Sequence, residues 1–301
     1  MKTVVPGYYK KFKCIADKCT HSCCIGWEID IDEETMHKYK LLQGDMGERI
    51  RANIEGEVPH FVLDRDERCP FLNEKGLCDI ITEYNEDMLC EICSMHPRFC
   101  NFYTDFTEMG IGLCCEEAAR IILAEKEPFC MEADAEVCAT EEENEFFARR
   151  NELIRILQNR SVGIKERFST LAKMFGMSFS FSLKSLSRLY MSLERLDEAW
   201  TDELCNIAEY TFDETIFDET ELIIPFEQLA IYFLFRHPDR ALYEDDYAGW
   251  VRFSLMSCYL IGAICSYHKS IEQNITVEKM ADICRMYSSE IEYSEQNMEN
   301  I

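Results

Sequence analysis

Residues 12–32, FKCIADKCTHSCCIGWEIDID, decide how this chain is read. They set Cys14, Cys19, Cys23 and Cys24 into one short polar segment that Gly26 interrupts. A lone cysteine in an apolar helix behaves as a small buried hydrophobe, whereas clustered thiols in a broken, polar stretch suit a metal. Further thiols follow as Cys69-x8-Cys78, Cys90-x2-Cys93 and Cys115. A Cys-x2-Cys pair lets two thiolates converge on one ion, and thiols from distant sequence close the site. The neighbours Cys23 and Cys24 diverge unless the backbone strains, so they suit different irons of one cluster, or two ions, better than one tetrahedral ion. Cys14, Cys19, Cys23, Cys24, Cys69, Cys78, Cys90, Cys93 and Cys115 outnumber the four ligands that a cubane cluster or a structural zinc ion takes. Either some stand outside the coordination sphere or there are two sites. His21 and His96 lie in the same region and are able to replace a thiolate; His37, His60, His237 and His268 show no partner pattern.

Composition narrows the classes. The chain has 301 residues, 47% hydrophobic, enough for a sizeable core in one or two domains. Its formal net charge of -26 opposes binding to nucleic-acid backbones and to anionic membranes. The N-terminus MKTVVPGYYKKFKC lacks the apolar region of a signal peptide, so a cytoplasmic protein is expected. The apolar run 253–267 is shorter than a bilayer span and reads as a buried helix, so no membrane span is expected. The 17 cysteines are an odd number, and in that compartment their spacing reads as metal binding or catalysis rather than disulfides.

The front of the chain is punctuated by glycine and proline. A helix is expected over 33–43, with Asp30 and Glu33 spaced as a capping box, and another after Cys115. Apolar spacing then predicts helices at 146–158, 168–175, 185–209, 225–236, 247–267 and 277–298. Pro225 suits a helix start and Thr276 a cap. Cys205, Cys258, Cys265 and Cys284 read as core residues, and Glu141, Glu142 and Glu143 as a solvated helix start. The expected fold is mainly α. A Cys-rich metal- or cluster-binding part of short helices and loops (1–124) packs on a helical C-terminal domain (146–301), with an acidic linker (125–145) between them.

The run Cys14 … Cys19-x3-Cys23-Cys24-Ile25-Gly26-Trp27-Glu28-Ile29-Asp30 resembles the N-terminus of the flagellin lysine-N-methylases. So does Cys69-Pro70-Phe71-Leu72 … Gly76-Leu77-Cys78, followed by Leu89-Cys90-x2-Cys93-x3-Pro97-Arg98. Cys115-Glu116-Glu117-Ala118-Ala119-Arg120 is similar to a Cys-Pro-Glu-Ala-Ala-Arg segment of that family, and 287–294 to its closing helix. The first parts are shared with the broader CxxCxxCC cysteine-cluster superfamily, thought to chelate zinc or iron. The chain departs from the family pattern at Ser94, His96, Cys100, Cys114, Glu116, Ser289 and Tyr293.

The resemblance implies methyl transfer from S-adenosylmethionine to lysine ε-amines of flagellin or another Lys-bearing protein. It also implies an iron–sulfur cluster, 4Fe–4S in the first place, with zinc as the alternative. No Gly-rich dinucleotide turn and no Cys-x3-Cys-x2-Cys loop is present to show how the donor binds. Methylation needs a neutral amine, so carboxylates or a tyrosine must receive the cation and its proton. Glu290, Glu292 and Tyr287 in the closing helix and Glu117 beside Cys115 are the candidates; as the plainer alternative, Glu290 and Glu292 are solvated surface charges. Two rival functions stand: a non-catalytic zinc- or iron-binding protein that docks a partner, and a thiol redox protein using Cys90-x2-Cys93. The absence of a βαβ pattern around that pair disfavours the second.

Overall fold

Two hydrophobic cores form along this chain, each gathering its own stretch of sequence. In the computed structural model, which describes residues 2–301, Lys13–Arg98 forms one unit, and Phe99–Ile301 forms the other together with the first dozen residues. The fold is mainly helical, as expected.

The chain opens with β1 (Lys2–Pro6), which belongs to the second unit. In the Cys-rich unit, α1 (Glu33–Leu41) is followed by α2 (Asp45–Ala52), the short strands β2 (Ile54–Glu55) and β3 (His60–Phe61), α3 (Asp79–Tyr84) and α4 (Glu91–Met95). The cap of α1 is Asp32 rather than Asp30: its carboxylate accepts the Thr35 N–H at 2.8 Å. Its other oxygen accepts the Glu91 N–H at 2.8 Å, so one side chain serves the first turns of α1 and α4. Asp30 instead pairs with His60 across a bridge. The core is small: Ile29, Ile31, Tyr39, Met46, Ile50, Phe61, Phe71 and Ile80, with Cys69 and Cys90 among them.

In the helical unit, β4 (Arg98–Phe102) and β5 (Phe106–Ile111) lead into α5 (Glu116–Ala124), and β6 (Met131–Ala133) precedes α6 (Glu141–Leu157). The sheet order is β4-β5-β1-β6. β1 runs parallel to β5, with Lys2 opposite Phe106 and Val4 opposite Glu108, and antiparallel to β6. This pairing draws the first residues into the helical unit. It also puts residues 125–145, expected as a linker, inside that unit, where they carry β6 and the start of α6. Thr140 and Glu143 close a capping box there. Glu143 is buried and also accepts the Thr104 N–H at 2.8 Å, so it is not a solvated charge.

The remaining helices are α7 (Ile164–Met174), α8 (Leu183–Met191), α9 (Glu198–Ala208), α10 (Ile223–Arg236), α11 (Asp239–Leu242), α12 (Tyr247–Glu272), α13 (Val277–Ile291) and α14 (Glu295–Asn300). Thr276 caps α13, accepting the Lys279 N–H. Two expected helices are each divided. The stretch 185–209 breaks between α8 and α9, where Asp197 starts a new helix; 277–298 breaks where Ser294 caps α14. A polar side chain that captures a backbone N–H offers the chain a fresh start, and the hydrophobic period alone does not show it. Residues Pro225 to Phe235 of α10 are all buried, the mark of a helix enclosed on every side. It packs against α5, α6 and α12. α12 is long and apolar enough to cross a membrane, and 83% of its most apolar window is buried within the protein. Cys258, Cys265 and Cys284 are buried as expected; Cys205 is exposed on α9.

Candidate functional site

In the Cys-rich unit, thiols from four separate segments come within electrostatic reach of one another. The Cys69 N–H donates to the Cys24 carbonyl at 2.8 Å, joining the first and second cysteine segments. Cys78 stands at the N-cap of α3 and Cys90 at that of α4, with Cys93 one turn on. Helix N–H groups there favour a thiolate. A hydrogen bond from the Cys23 thiol draws Cys24 down to about 7, and one from Cys93 draws Cys90 down. Burial pushes Cys69 up to about 12; the hydrogen bond to Cys90, then burial, pushes Cys93 up. Cys24 acts on Cys69, Cys78 and Cys93, and Cys90 acts on Cys69. Cys24, Cys69, Cys78, Cys90 and Cys93 thus lie within electrostatic reach of one another, and Cys23 hydrogen-bonds to Cys24.

The remaining expected ligands are Cys14, Cys19 and Cys115. Cys14 is exposed, with its sulfur near the Ala16 N–H, and Cys19 donates to the His21 carbonyl at 3.1 Å. Cys115 is the N-cap of α5 in the helical unit. His96 is held down to about 4 by burial and by Arg98, so it is neutral, and its ring lies 5.7 Å from that of Trp27. His21 Nδ1 meets Thr20 Oγ1 at 3.0 Å. Sequence reasoning missed Tyr39. It is fully buried, its hydroxyl donates to the Met88 carbonyl at 2.7 Å, and Cys90, Cys93 and Cys78 all bear on it.

The four candidate catalytic residues do not converge. Tyr287 is buried between Tyr190 and Ser257, at 3.1 and 2.7 Å between hydroxyl oxygens. Glu290 is buried and accepts the N–H groups of Leu196 and Asp197 at 2.9 and 2.7 Å, so it holds the break between α8 and α9. Glu117 grips Arg120, one turn on, through two hydrogen bonds. Glu292 faces α10: His237 Nε2 lies at 2.6 Å, the Tyr232 hydroxyl at 3.1 Å and Arg236 Nε at 3.9 Å. The reading of Glu290 and Glu292 as solvated charges does not hold, since both are buried. Tyr287 and Glu290 lie one turn apart on α13 and Glu292 is its C-cap, and each meets a different neighbour.

The Glu292–His237 pair gives a pH dependence with a definite sign. Burial opposes the Glu292 charge, yet the hydrogen bond from His237 and the Arg236 charge hold its carboxyl below the usual range. Burial, against the pull of Glu292, holds His237 below its usual value. Both folded values lie under their unfolded ones, so the unfolded chain takes up protons first as pH falls. The contribution is complete above about pH 6.5 and is lost on acidification, through His237 first and then Glu292. The melting temperature of the helical unit should therefore fall as pH is lowered from 7 to 4, and His237→Gln should flatten the first part of that fall. A melting temperature that rises towards pH 5 would show that an imidazolium–carboxylate pair is favoured instead.

A groove in the helical unit, of about 760 Å³, is lined by Phe102, Tyr103, Leu242, Tyr243 and the start of α6, including Glu141, Glu142 and Glu145. A smaller cavity, of about 310 Å³, continues it along Pro238 and Asp239. Phe102 and Tyr243 are 64% and 69% exposed, unusual for large rings outside a contact surface. No motif marks this groove, because its walls come from three distant stretches of chain.

Comparison with known proteins gives the chain relatives. It is 24% identical over 230 residues to a Lysine-N-methylase of Salmonella typhimurium, covering 67% of this chain and 56% of that protein. A Lysine-N-methylase of Salmonella choleraesuis matches to the same extent. A flagellar biosynthetic protein FliU of Salmonella muenchen is 29% identical over 131 residues, 39% of this chain and 75% of its own. The matched region thus spans little more than half the length of the two methylases. No protein-family profile and no solved structure matches.

Proposed function

We propose that this protein transfers methyl groups from S-adenosylmethionine to lysine ε-amines, with flagellin as the target and an iron–sulfur cluster in the Cys-rich unit. The observation that carries the reaction is the match to proteins named Lysine-N-methylase over 67% of the chain. The cofactor rests on the donor set. Five thiols drawn from separate segments, beside the buried rings of Tyr39 and Phe71, suit a soft metal and not a hard one. Four of Cys24, Cys69, Cys78, Cys90 and Cys93 would supply the ligands. These residues would hold an iron–sulfur cluster, which would supply a redox-capable iron centre.

The helical unit receives the lysine. A lysine-bearing segment in the groove sets its cation over the exposed faces of Phe102 and Tyr243, beside Glu141, Glu142 and Glu145. The amine must lose its proton before its lone pair attacks the methyl carbon. Of the four catalytic candidates, Glu292 keeps a role in proton handling. It accepts from His237 Nε2, which leaves Nδ1 of the neutral ring to take a proton. Tyr287, Glu290 and Glu117 hold structure around it.

The test is transfer of a labelled methyl group from S-adenosylmethionine to flagellin lysines by protein purified without air. Cys93→Ala should lose both the visible iron–sulfur absorption and the activity. His237→Asn should keep the absorption and lower kcat by about 10²–10⁴-fold. A colourless protein holding one equivalent of zinc and binding no S-adenosylmethionine would favour a non-catalytic metal-binding protein.

A further inference from the structure

We infer a second metal site in the Cys-rich unit, separate from the thiols. There Glu28, Asp30 and His60, with Glu55 beside them, bind a divalent first-row cation through oxygen and nitrogen.

The argument starts from strand pairing. His60 is the register partner of Glu55 in the β2–β3 pair and of Asp30 across an antiparallel bridge. Residues directly opposite in antiparallel strands project to the same face, and so does a residue two positions along. Glu55, His60 and Asp30 therefore form a row across three strands, with Glu28 diagonal to it. The opposite face is the core: Ile29, Ile31 and Phe61 are 1%, 4% and 2% exposed. Alternation thus commits one imidazole and three carboxylates to a single polar face.

The ligand atoms are already gathered. One His60 ring nitrogen and one oxygen each from Glu28 and Asp30 lie within 4.8 Å of one another. Glu55 Oε1 stands 3.9 Å from His60 Nε2. The ring is fixed from behind. His60 Nδ1 lies 3.0 Å from the Val58 carbonyl and 3.5 Å from Glu28 Oε1. Gly56 makes room for this: a Cβ there would sit 2.6 Å from His60 Cε1 and 2.7 Å from Nδ1. Among the described residues, no lysine or arginine ion pair is formed by Glu28, Asp30 or Glu55. Three carboxylates gathered about one imidazole repel each other, and a divalent cation relieves this. The carboxylate-rich set selects manganese-, iron- or zinc-type ions and is poorly suited to the soft ions that thiolates hold.

Mn²⁺ is the probe, because it prefers oxygen and nitrogen and leaves the thiols aside. The full chain, with its thiol centre as purified, is titrated while free Mn²⁺ is followed by electron paramagnetic resonance. One Mn²⁺ per chain is expected. Asp30→Asn and His60→Gln should each weaken binding by about 10-fold or more, on the scale of ligand-shell substitutions in metal sites. Glu83→Gln, an exposed acid on α3, should leave it unchanged. Circular dichroism checks the fold, and Glu28→Gln, at a largely exposed side chain, serves where His60→Gln misfolds. Non-stoichiometric Mn²⁺ binding, or equal affinity in wild type and in Asp30→Asn and Glu28→Gln, overturns the site and leaves only the diffuse attraction of a chain with net charge -26.

Discussion

Stripping the metal from the thiol group, or replacing Cys90 by Ala, is expected to unfold residues 13–98 while the helical unit keeps its own cooperative transition. The apolar core of the Cys-rich unit is short, and two of its buried members, Cys69 and Cys90, are themselves thiols of the proposed centre. A core of that size supplies about 3–5 kcal/mol at best, whereas a structural metal in a small domain contributes about 10–16 kcal/mol of apparent folding energy. Loss of the metal therefore exceeds what the rest of the unit holds in reserve. The helical unit has a far larger core, with α10 and α12 enclosed, and contributes only Cys115 to the expected ligands. Calorimetry with and without a chelator should show one transition lost and one retained. Hydrogen exchange should map the loss to peptides between Lys13 and Arg98. Retention of slow exchange there after complete metal removal would show that the unit folds on packing alone.

Replacing Glu108 by Ala should destabilise the helical unit by about 3–5 kcal/mol, the scale for leaving one member of a buried ion pair behind. Glu108 sits in β5 and Arg150 in α6, with side chains 3% and 4% exposed. The two make paired hydrogen bonds of 2.6 and 2.7 Å, and the Tyr103 hydroxyl adds a third contact to Glu108 at 3.2 Å. Arg150 also lies over the rings of Phe146 and Phe147. Without Glu108 its guanidinium keeps its charge, since arginine does not deprotonate in proteins, and is left buried without a counter-ion. The double variant Glu108→Leu with Arg150→Met should recover most of the loss, because two apolar side chains of similar volume remove both charges together. Chemical denaturation of the three variants reads the coupling. A Glu108→Ala cost below about 1 kcal/mol would place the pair in the class of exposed bridges.

Much of this protein was legible before any tertiary contact was known. The mainly helical fold follows from apolar spacing that a helix must bury on one face, and α5, α10 and α12 lie where that spacing puts them. The crowding of thiols was legible, because the chain sets them in polar, broken segments. Pairings over long separations were not legible. β1 is five residues long, and nothing local tells it to pair with Phe106 rather than to stay in the front unit. The Glu108–Arg150 pair, the grip of Glu290 on residues 196 and 197, and the row of Asp30, His60 and Glu55 each join residues that are remote in sequence. A charged or polar side chain reads as solvated until a partner is known. Its burial is decided by what the fold brings against it, because the cost of removing it from water is met only by a specific counter-charge or hydrogen bond. The chain by itself thus determined which segments become helices and where the thiols crowd along the sequence. Tertiary structure alone decided where the units divide and which carboxylates are buried, since both depend on contacts that no local pattern encodes.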